Sequence, residues 1–256
     1  MERRLFAQTL SLAALVATLV ATPAPAQTDP GATKAAPPAN APAEKVVKRG
    51  YLFSSISLAK SALGDEWTRL RPEAEAKFPG LKLTRTDDLH ITVVYIGGDW
   101  KDQDLGRIRA HARVIPASPG RMRPEVVRMG RNNQVVAVEE LGAPQAWTDS
   151  VIAAKNTLNR LGLKKSDAYD TSFRTHVTLA EARHNPPSAS DSTELSDFAA
   201  WITPRVAAEP AKFSVEVGPK TRIELLLAGT TRPEGAPEYI TVEAFLEAQE
   251  APATAR

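Results

Sequence analysis

The sequence predicts a mixed α+β fold of two lobes, in which two mostly antiparallel sheets are flanked by helices around a central cleft. Three observations support this fold class. Short β-rich runs alternate with amphipathic helical stretches along the chain. A His-x-Thr pattern occurs on two of the predicted strands, which indicates an internal duplication. The sequence contains neither standard glycine-rich phosphate loop, so a doubly wound nucleotide-binding fold is disfavoured.

The first 26 residues have the features of an export signal. Arg3 and Arg4 precede an apolar run at residues 10–21, and residues 24–26 form a small-x-small cleavage site. The run is shorter than the roughly 20 residues of a membrane span. We therefore expect cleavage and a periplasmic or secreted protein without stable membrane association, with an uncleaved anchor as the alternative.

Alanine- and proline-rich segments flank the predicted domain. Residues 27–48 and 247–256 contain almost no large apolar side chain, so they are predicted to be a disordered linker and tail. Residues 49–246 remain as the folded domain. The chain has no cysteine, so this domain must be held together by its core without disulfides. The net charge of +2 neither requires nor excludes nucleic acid, so any anion site must be local.

Strands are predicted where β-branched and aromatic residues concentrate, and helices where apolar residues recur at three- and four-residue spacing. In the first half, Pro79-Gly80 ends a helix and Asn132-Asn133 supplies a hairpin turn. The elements are expected at residues 51–58 (strand), 59–78 (helix), 87–97 (strand), 101–115 (helix), 121–131 and 133–141 (strands).

The second half follows the same rules and contains two further helices. Gly162 suits the C-terminal end of the first helix, and Ser192 is the predicted N-cap of the second. The elements are expected at residues 144–163 (helix), 171–182 (strand), 190–206 (helix), and 212–217, 221–229 and 238–246 (strands).

The repeated motif reads His90-Ile91-Thr92 in the first half and His176-Val177-Thr178 in the second. Residues i and i+2 of a strand share a face, so each histidine points the same way as its threonine. Two facing lobes would bring two imidazoles and two hydroxyls to one site. Histidine can act as base or acid near neutral pH, and threonine hydroxyls can hold the non-bridging oxygens of a phosphodiester.

Other interpretations fit the sequence less well. His-x-Thr is not a usual metal-ligand spacing, and no acidic residue recurs at a fixed offset, which disfavours a metal site. A serine triad would need a nucleophile elbow. A single buried histidine is usually structural, but the repeat argues against that interpretation. Arginines at 121, 123, 128 and 131 could follow a nucleic-acid backbone or form a solvated strand edge.

The paired motif strands resemble those of the two-histidine (2H) phosphoesterase superfamily, in particular its RNA ligase-like and cyclic phosphodiesterase members. Residues 90–97 (HITVVYIG) resemble the first motif strand, and residues 173–182 (FRTHVTLAEA) resemble the second. Residues 223–229 and 238–246 resemble the closing strand pair. The chain departs from many relatives at Thr175, where they have proline.

The resemblance implies that His90 and His176 are the acid–base pair and that Thr92 and Thr178 hold the phosphate. It implies hydrolysis of 2',3'-cyclic phosphates on nucleotides or RNA ends, with no metal or other cofactor. ATP-independent 2',5' RNA ligation and 2',5'-oligonucleotide cleavage are alternatives. A binding module that holds a phosphorylated ligand without turnover is another. We expect a monomer.

Further candidate substrate-binding residues lie on or near the motif strands. An aromatic residue there could stack on a base, although core packing is the simpler role for most of them. The aromatic residues are Tyr51, Phe53, Tyr95 and Phe173. Arg183 is the arginine that follows the second motif, where Glu181 comes first. His111 and His184 are expected to be structural or solvated.

Overall fold

An eight-stranded antiparallel sheet dominates the computed structural model, which describes residues 50–130, 132–133, 135–141, 143–229 and 238–244. The strands in chain order are β1 (Tyr51–Ser57), β2 (Leu81–Leu83), β3 (His90–Gly97), β4 (Gly120–Arg121), β5 (Arg123–Met129), β6 (Val135–Leu141), β7 (His176–Ala182), β8 (Glu216–Val217), β9 (Glu224–Ala228) and β10 (Tyr239–Thr241). The helices are α1 (Ala62–Lys77), α2 (Leu105–Ala112), α3 (Gln145–Arg160), α4 (Ala189–Ala208) and α5 (Pro210–Phe213). The predicted α+β class is confirmed.

The large sheet has two halves of four strands each. Its order is β10-β9-β1-β3-β7-β6-β5, and β2 pairs with the part of β7 beyond β3. Across the junction of β3 and β7, the ladder in the described residues is the single pair Ile91–Val177. The two sheets expected from the sequence correspond to these halves. Strands β4 and β8 form a separate two-stranded sheet.

One hydrophobic core lies against the sheet. Ile91 and Val177 are fully buried in it, together with the apolar faces of the longer helices. Aromatic rings of α1 and α4 meet there, for example Trp67 and Phe198 with ring centroids 6.2 Å apart. Because strand side chains alternate between faces, burying Ile91 and Val177 turns the neighbouring motif residues away from this core.

The N-terminus of α4 differs from the expected one. Ser188, not Ser192, is the N-cap: its hydroxyl accepts from the Asp191 amide, and the Asp191 carboxylate accepts from the Ser188 amide. This reciprocal capping box satisfies two amides at the start of the helix. The Ser192 hydroxyl instead donates to the Ser188 carbonyl oxygen.

Several strands are shorter than expected. Both motif strands begin at their histidine, because residues 86–88 form a 3₁₀ turn before β3 and residues 171–175 do not pair before β7. The predicted strand at 212–217 starts as α5 and pairs only at Glu216–Val217. Strand β2 was not predicted, because three residues are too few for a periodic pattern.

The predicted export signal, linker and tail lie outside the described residues. The described residues from Gly50 onward belong to one compact unit. Within the part of the chain that the structure describes, no helix has the length and apolar character needed to cross a bilayer.

Helix α3 ends as predicted and leads into the loop before the second motif. Gly162 has φ +68°, and the amides of Gly162 and Leu163 bond to the carbonyl oxygens of Asn159 and Leu158 at 3.0 and 2.9 Å. These two bonds form a Schellman motif, in which glycine takes up the left-handed conformation without strain. The turn sends residues 163–175 back along α3 toward β7.

Buried charges fix this loop. The Lys164 ammonium lies 2.6 Å from Asp170 and 2.8 Å from Asp167, and the Asn159 amide donates to Asp170 at 2.7 Å. Burial would raise the pKa of the Asp170 carboxyl, but its bonds to Lys164, the Asp167 amide and Asn159 lower that pKa to about 2. The loop that presents His176 is therefore held by ionic contacts in addition to packing.

We predict that Asp170→Asn lowers the free energy of unfolding by about 3 kcal/mol, because it leaves the buried Lys164 without one of its two carboxylates. In the unsubstituted protein the Asp170 contribution is present above pH ~4 and is lost as the pH falls toward 2, because the folded-state pKa is depressed. Urea denaturation at several pH values measures both effects.

Asp99→Asn is the matched control, because Asp99 pairs with Lys165 of the same loop at the surface. Such a pair contributes at most about 1 kcal/mol. Equal losses in the two variants would contradict the role given to Asp170.

Candidate functional site

The two motifs lie side by side at the junction of the sheet halves. In an antiparallel ladder centred on Ile91–Val177, His90 stands opposite Thr178, and Thr92 stands opposite His176. All four side chains are half-buried on the face away from the main core. The site thus has an approximate two-fold arrangement, with a histidine and a threonine from each half of the chain. The structure brings together all four residues predicted from the motif.

The duplication extends to the backbone. Strand β3 carries Val93 as an extra residue directly after Thr92 in its pairing with β1. Strand β7 carries Leu179 as an extra residue directly after Thr178 in its pairing with β6. Bulges of this kind bend a strand and redirect its side chains, and they are common beside active sites. Each motif is thus followed by the same irregularity in the same place.

Equivalent backbone contacts orient both imidazole rings. Nδ1 of His90 lies 2.8 Å from the carbonyl oxygen of Asp88, and Nδ1 of His176 lies 3.0 Å from that of Arg174. A carbonyl oxygen only accepts, so Nδ1 carries the hydrogen in each ring. Nε2 is therefore the nitrogen of each histidine that gains or loses a proton. Nε2 of His90 lies 3.2 Å from the Thr92 hydroxyl oxygen.

His90 packs against two aromatic rings, which also contact each other. The ring centroids of Phe53 and Tyr239 are 5.2 and 4.7 Å from that of His90, and Tyr239 meets it edge-on. Burial lowers the pKa of His90 below its ordinary value, and the positive charge of His176 acts in the same direction. The neutral ring is therefore favoured near neutral pH, which suits a general base.

Two cavities adjoin the four motif residues. Cavity A, of about 770 Å³, is lined by His176, Phe173 and a set of basic side chains. Cavity B, of about 430 Å³, is lined by His90 and Tyr239 together with acidic side chains. Thr92 and Thr178 line both cavities. Among the described residues, each histidine lines one cavity and the threonines form the wall between them.

The aromatic residues predicted to bind substrate differ in their position relative to the cavities. Phe173 lines cavity A and packs edge-on against Trp147, with centroids 5.1 Å apart. Phe53 is buried against His90, so it supports the ring and does not line either cavity. Tyr51 is 54% exposed and stacks on Tyr95, whose ring borders cavity A.

Arg183 lies apart from the motif residues. Its guanidinium donates to the Pro79 carbonyl oxygen at 2.9 Å, and it is not among the described residues that line either cavity. The side chain of the β7 residue Glu181, not that of Arg183, borders cavity B. Arg183 follows Ala182, the last residue of β7, so its side chain is not held on the strand face from which Glu181 borders the cavity.

Sequence reasoning did not identify Tyr239 or Lys155 as site residues. Tyr239 is on β10, and its amide donates to the Asp88 carboxylate at 3.3 Å, which holds its ring beside His90. Lys155 is on α3 and lines cavity A. Neither residue stands near a motif in the sequence, so the chain order contained no signal for them.

The basic residues and remaining histidines have different roles. Arg128 lines cavity A, whereas Arg121 pairs with Glu216 in the small sheet. His184 bonds to Asp191 at the start of α4, and His111 is exposed on α2. In the described ranges, no three His, Asp or Glu side chains are grouped so that they could hold a metal ion.

No protein-family model matches the chain, and no curated protein matches it by sequence. Solved structures do match. A structure described as a phosphoesterase is 17% identical, with a TM-score of 0.48, over 75% of this chain and 95% of its own. Escherichia coli LigT complexed with 3'-AMP is 15% identical, with a TM-score of 0.48, over 76% and 95%. Usb1 of Kluyveromyces marxianus is 13% identical, with a TM-score of 0.42, over 76% and 97%.

Proposed function

We propose that this protein is a 2H phosphoesterase that hydrolyses 2',3'-cyclic phosphates of nucleotides or RNA ends without a metal, using His90 and His176 as acid–base pair. One observation carries the proposal: Thr92 and Thr178 form a wall shared by two cavities, with one histidine on each side. In-line displacement at phosphorus places the attacking and leaving oxygens on opposite sides, so a histidine in each cavity can serve one of them.

The threonines would hold the phosphoryl group. Each hydroxyl can donate one hydrogen bond to a non-bridging oxygen, and such bonds strengthen as negative charge develops in the transition state. A bulge follows Thr92 and Thr178 alike, so the two hydroxyls have equivalent backbone surroundings.

The difference between the cavities indicates which histidine is the acid and which is the base. Cavity A is the larger and contains Phe173, so it suits the nucleoside. The departing ribose oxygen then lies on the His176 side and receives the Nε2 proton of the imidazolium. On the other side, Nε2 of His90 takes a proton from water as its oxygen bonds to phosphorus. One P–O bond forms, one breaks, and one proton is transferred at each histidine.

The surroundings of His90 fit the role of base. Burial beside Phe53 and Tyr239 lowers the pKa of His90, which favours the neutral ring. Cavity B has room for the attacking water on the side where Nε2 lies near Thr92.

We predict that His90→Ala and His176→Ala each lower kcat/KM for a 2',3'-cyclic nucleotide by about 10²- to 10⁴-fold, because each removes one proton transfer. Activity should be unchanged by EDTA. The assay follows release of the 2'- or 3'-monophosphate.

His111→Ala is the control, because this histidine is exposed on α2 and should leave turnover unaltered. Full activity in His176→Ala would refute the assignment of roles. Absence of turnover with every cyclic or 2',5'-linked nucleotide would refute the proposed function, and longer RNA products would indicate ligation.

We also predict a bell-shaped pH dependence of kcat/KM. The acidic limb reports ionisation of His90, so it should lie below the ordinary histidine pKa of about 6.5. Tyr239→Ala admits water to the ring, which raises the pKa of His90 and moves this limb to higher pH.

Tyr239→Phe retains the ring and should leave the acidic limb in place. If Tyr239→Ala also leaves the acidic limb unshifted, the aromatic contact does not control the pKa of His90.

A further inference from the structure

Cavity A contains a buried lysine without a carboxylate in contact. Burial lowers the pKa of Lys155, and the more distant carboxylates of Asp167 and Asp170 offset this only in part. Lys155 is 8% exposed, and its Nζ donates to the carbonyl oxygens of Tyr169 and Ser172 at 3.0 and 2.7 Å. Among the described residues, no carboxylate lies within salt-bridge distance of it. Lys164, the other buried lysine that lines cavity A, forms salt bridges with two carboxylates. The two lysines are therefore not equivalent.

A buried cation without a salt bridge is unfavourable, and a bound anion in contact with it would offset that cost. An ammonium has three N–H donors, and the two carbonyl oxygens use two of them. The third remains available on the side where Lys155 lines cavity A. The Phe173 ring, whose centroid is 5.8 Å from Nζ, lines the same cavity.

The two cavities also differ in charge. Among the described lining residues, cavity A has two more cationic than acidic side chains: Arg128, Lys155, Lys164 and Arg174 against Asp167 and Asp170. Cavity B has one more acidic than cationic side chain: Asp88, Glu181 and Glu238 against Lys82 and Arg85. An additional anionic group of a ligand is therefore favoured in cavity A and disfavoured in cavity B.

We propose that cavity A binds a second phosphate group of the substrate at the Lys155 ammonium, on the nucleoside side of the phosphate that is cleaved. The inference rests on the proposed function and narrows its substrate class. Preferred substrates carry a 5'-phosphate on the nucleoside, or are the last nucleotide of an RNA chain, whose 5' oxygen bears the next phosphodiester. A nucleoside 2',3'-cyclic phosphate without that group leaves Lys155 without an anion in contact. The volume of about 770 Å³ is within the range of ligand sites.

Calorimetry on the full chain tests this with two ligands, adenosine 3'-monophosphate and adenosine 3',5'-bisphosphate. We expect the bisphosphate to bind at least about tenfold more tightly at low salt, with the ratio falling as salt is added. Lys155→Gln keeps two N–H donors for the carbonyl oxygens but removes the charge, so it should reduce the ratio to below about threefold.

Lys82→Gln is the matched control, because it removes a lysine charge from cavity B and should leave the ratio unchanged. If Lys155→Gln does not fold, Arg174→Gln, at an exposed lining position, should reduce the ratio in the same direction. Equal affinities in the unsubstituted protein would overturn the proposal. So would a ratio that no substitution in cavity A alters.

Turnover of cyclic phosphates, measured separately, distinguishes this inference from the proposed function. A preference for the bisphosphate without turnover supports the second phosphate site and refutes the phosphodiesterase. Turnover without that preference refutes the second site alone.

Discussion

The pairing of Ile91 with Val177 is the contact on which the candidate site depends. It joins the two sheet halves, and both side chains are fully buried. The neighbouring residues of each strand must therefore face the cleft, which places each histidine opposite the other motif's threonine. A shift of one strand by one residue in this register would turn its histidine and threonine into the core and away from those of the other strand. The apolar residue in the middle of each motif is as necessary to the site as the histidine before it.

Local backbone contacts then define the chemistry of each half in the same way. The carbonyl oxygens of Asp88 and Arg174 hold Nδ1 of the two imidazoles, and a bulge follows each threonine. These features need only the nearby chain, so a duplicated sequence reproduces them. They give the candidate site two equivalent imidazoles and two equivalent hydroxyls, with Nδ1 of each ring bound to the backbone and Nε2 left for a ligand.

The surroundings remove this equivalence. His90 has Phe53 and Tyr239 beside it, which favour its neutral form, whereas His176 borders the larger, basic cavity. Environments that separate the proton affinities of two similar groups are a common way to assign acid and base. The same asymmetry underlies the proposed second phosphate site at Lys155. Residues outside the repeat therefore make the two histidines different, and the proposed acid and base roles rest on that difference.

The sequence by itself determined the α+β class, the two motif strands, and the candidate histidines and threonines, because period-two alternation and a repeated tripeptide are local properties. It also indicated Phe173 as a candidate substrate-binding residue and Gly162 as the end of α3. It did not reveal Tyr239, Lys155 or the direction of Arg183, and it placed the cap of α4 four residues too late. Only the tertiary structure decided these, because strand order, helix packing and the identity of buried neighbours depend on contacts between residues that lie far apart in the chain.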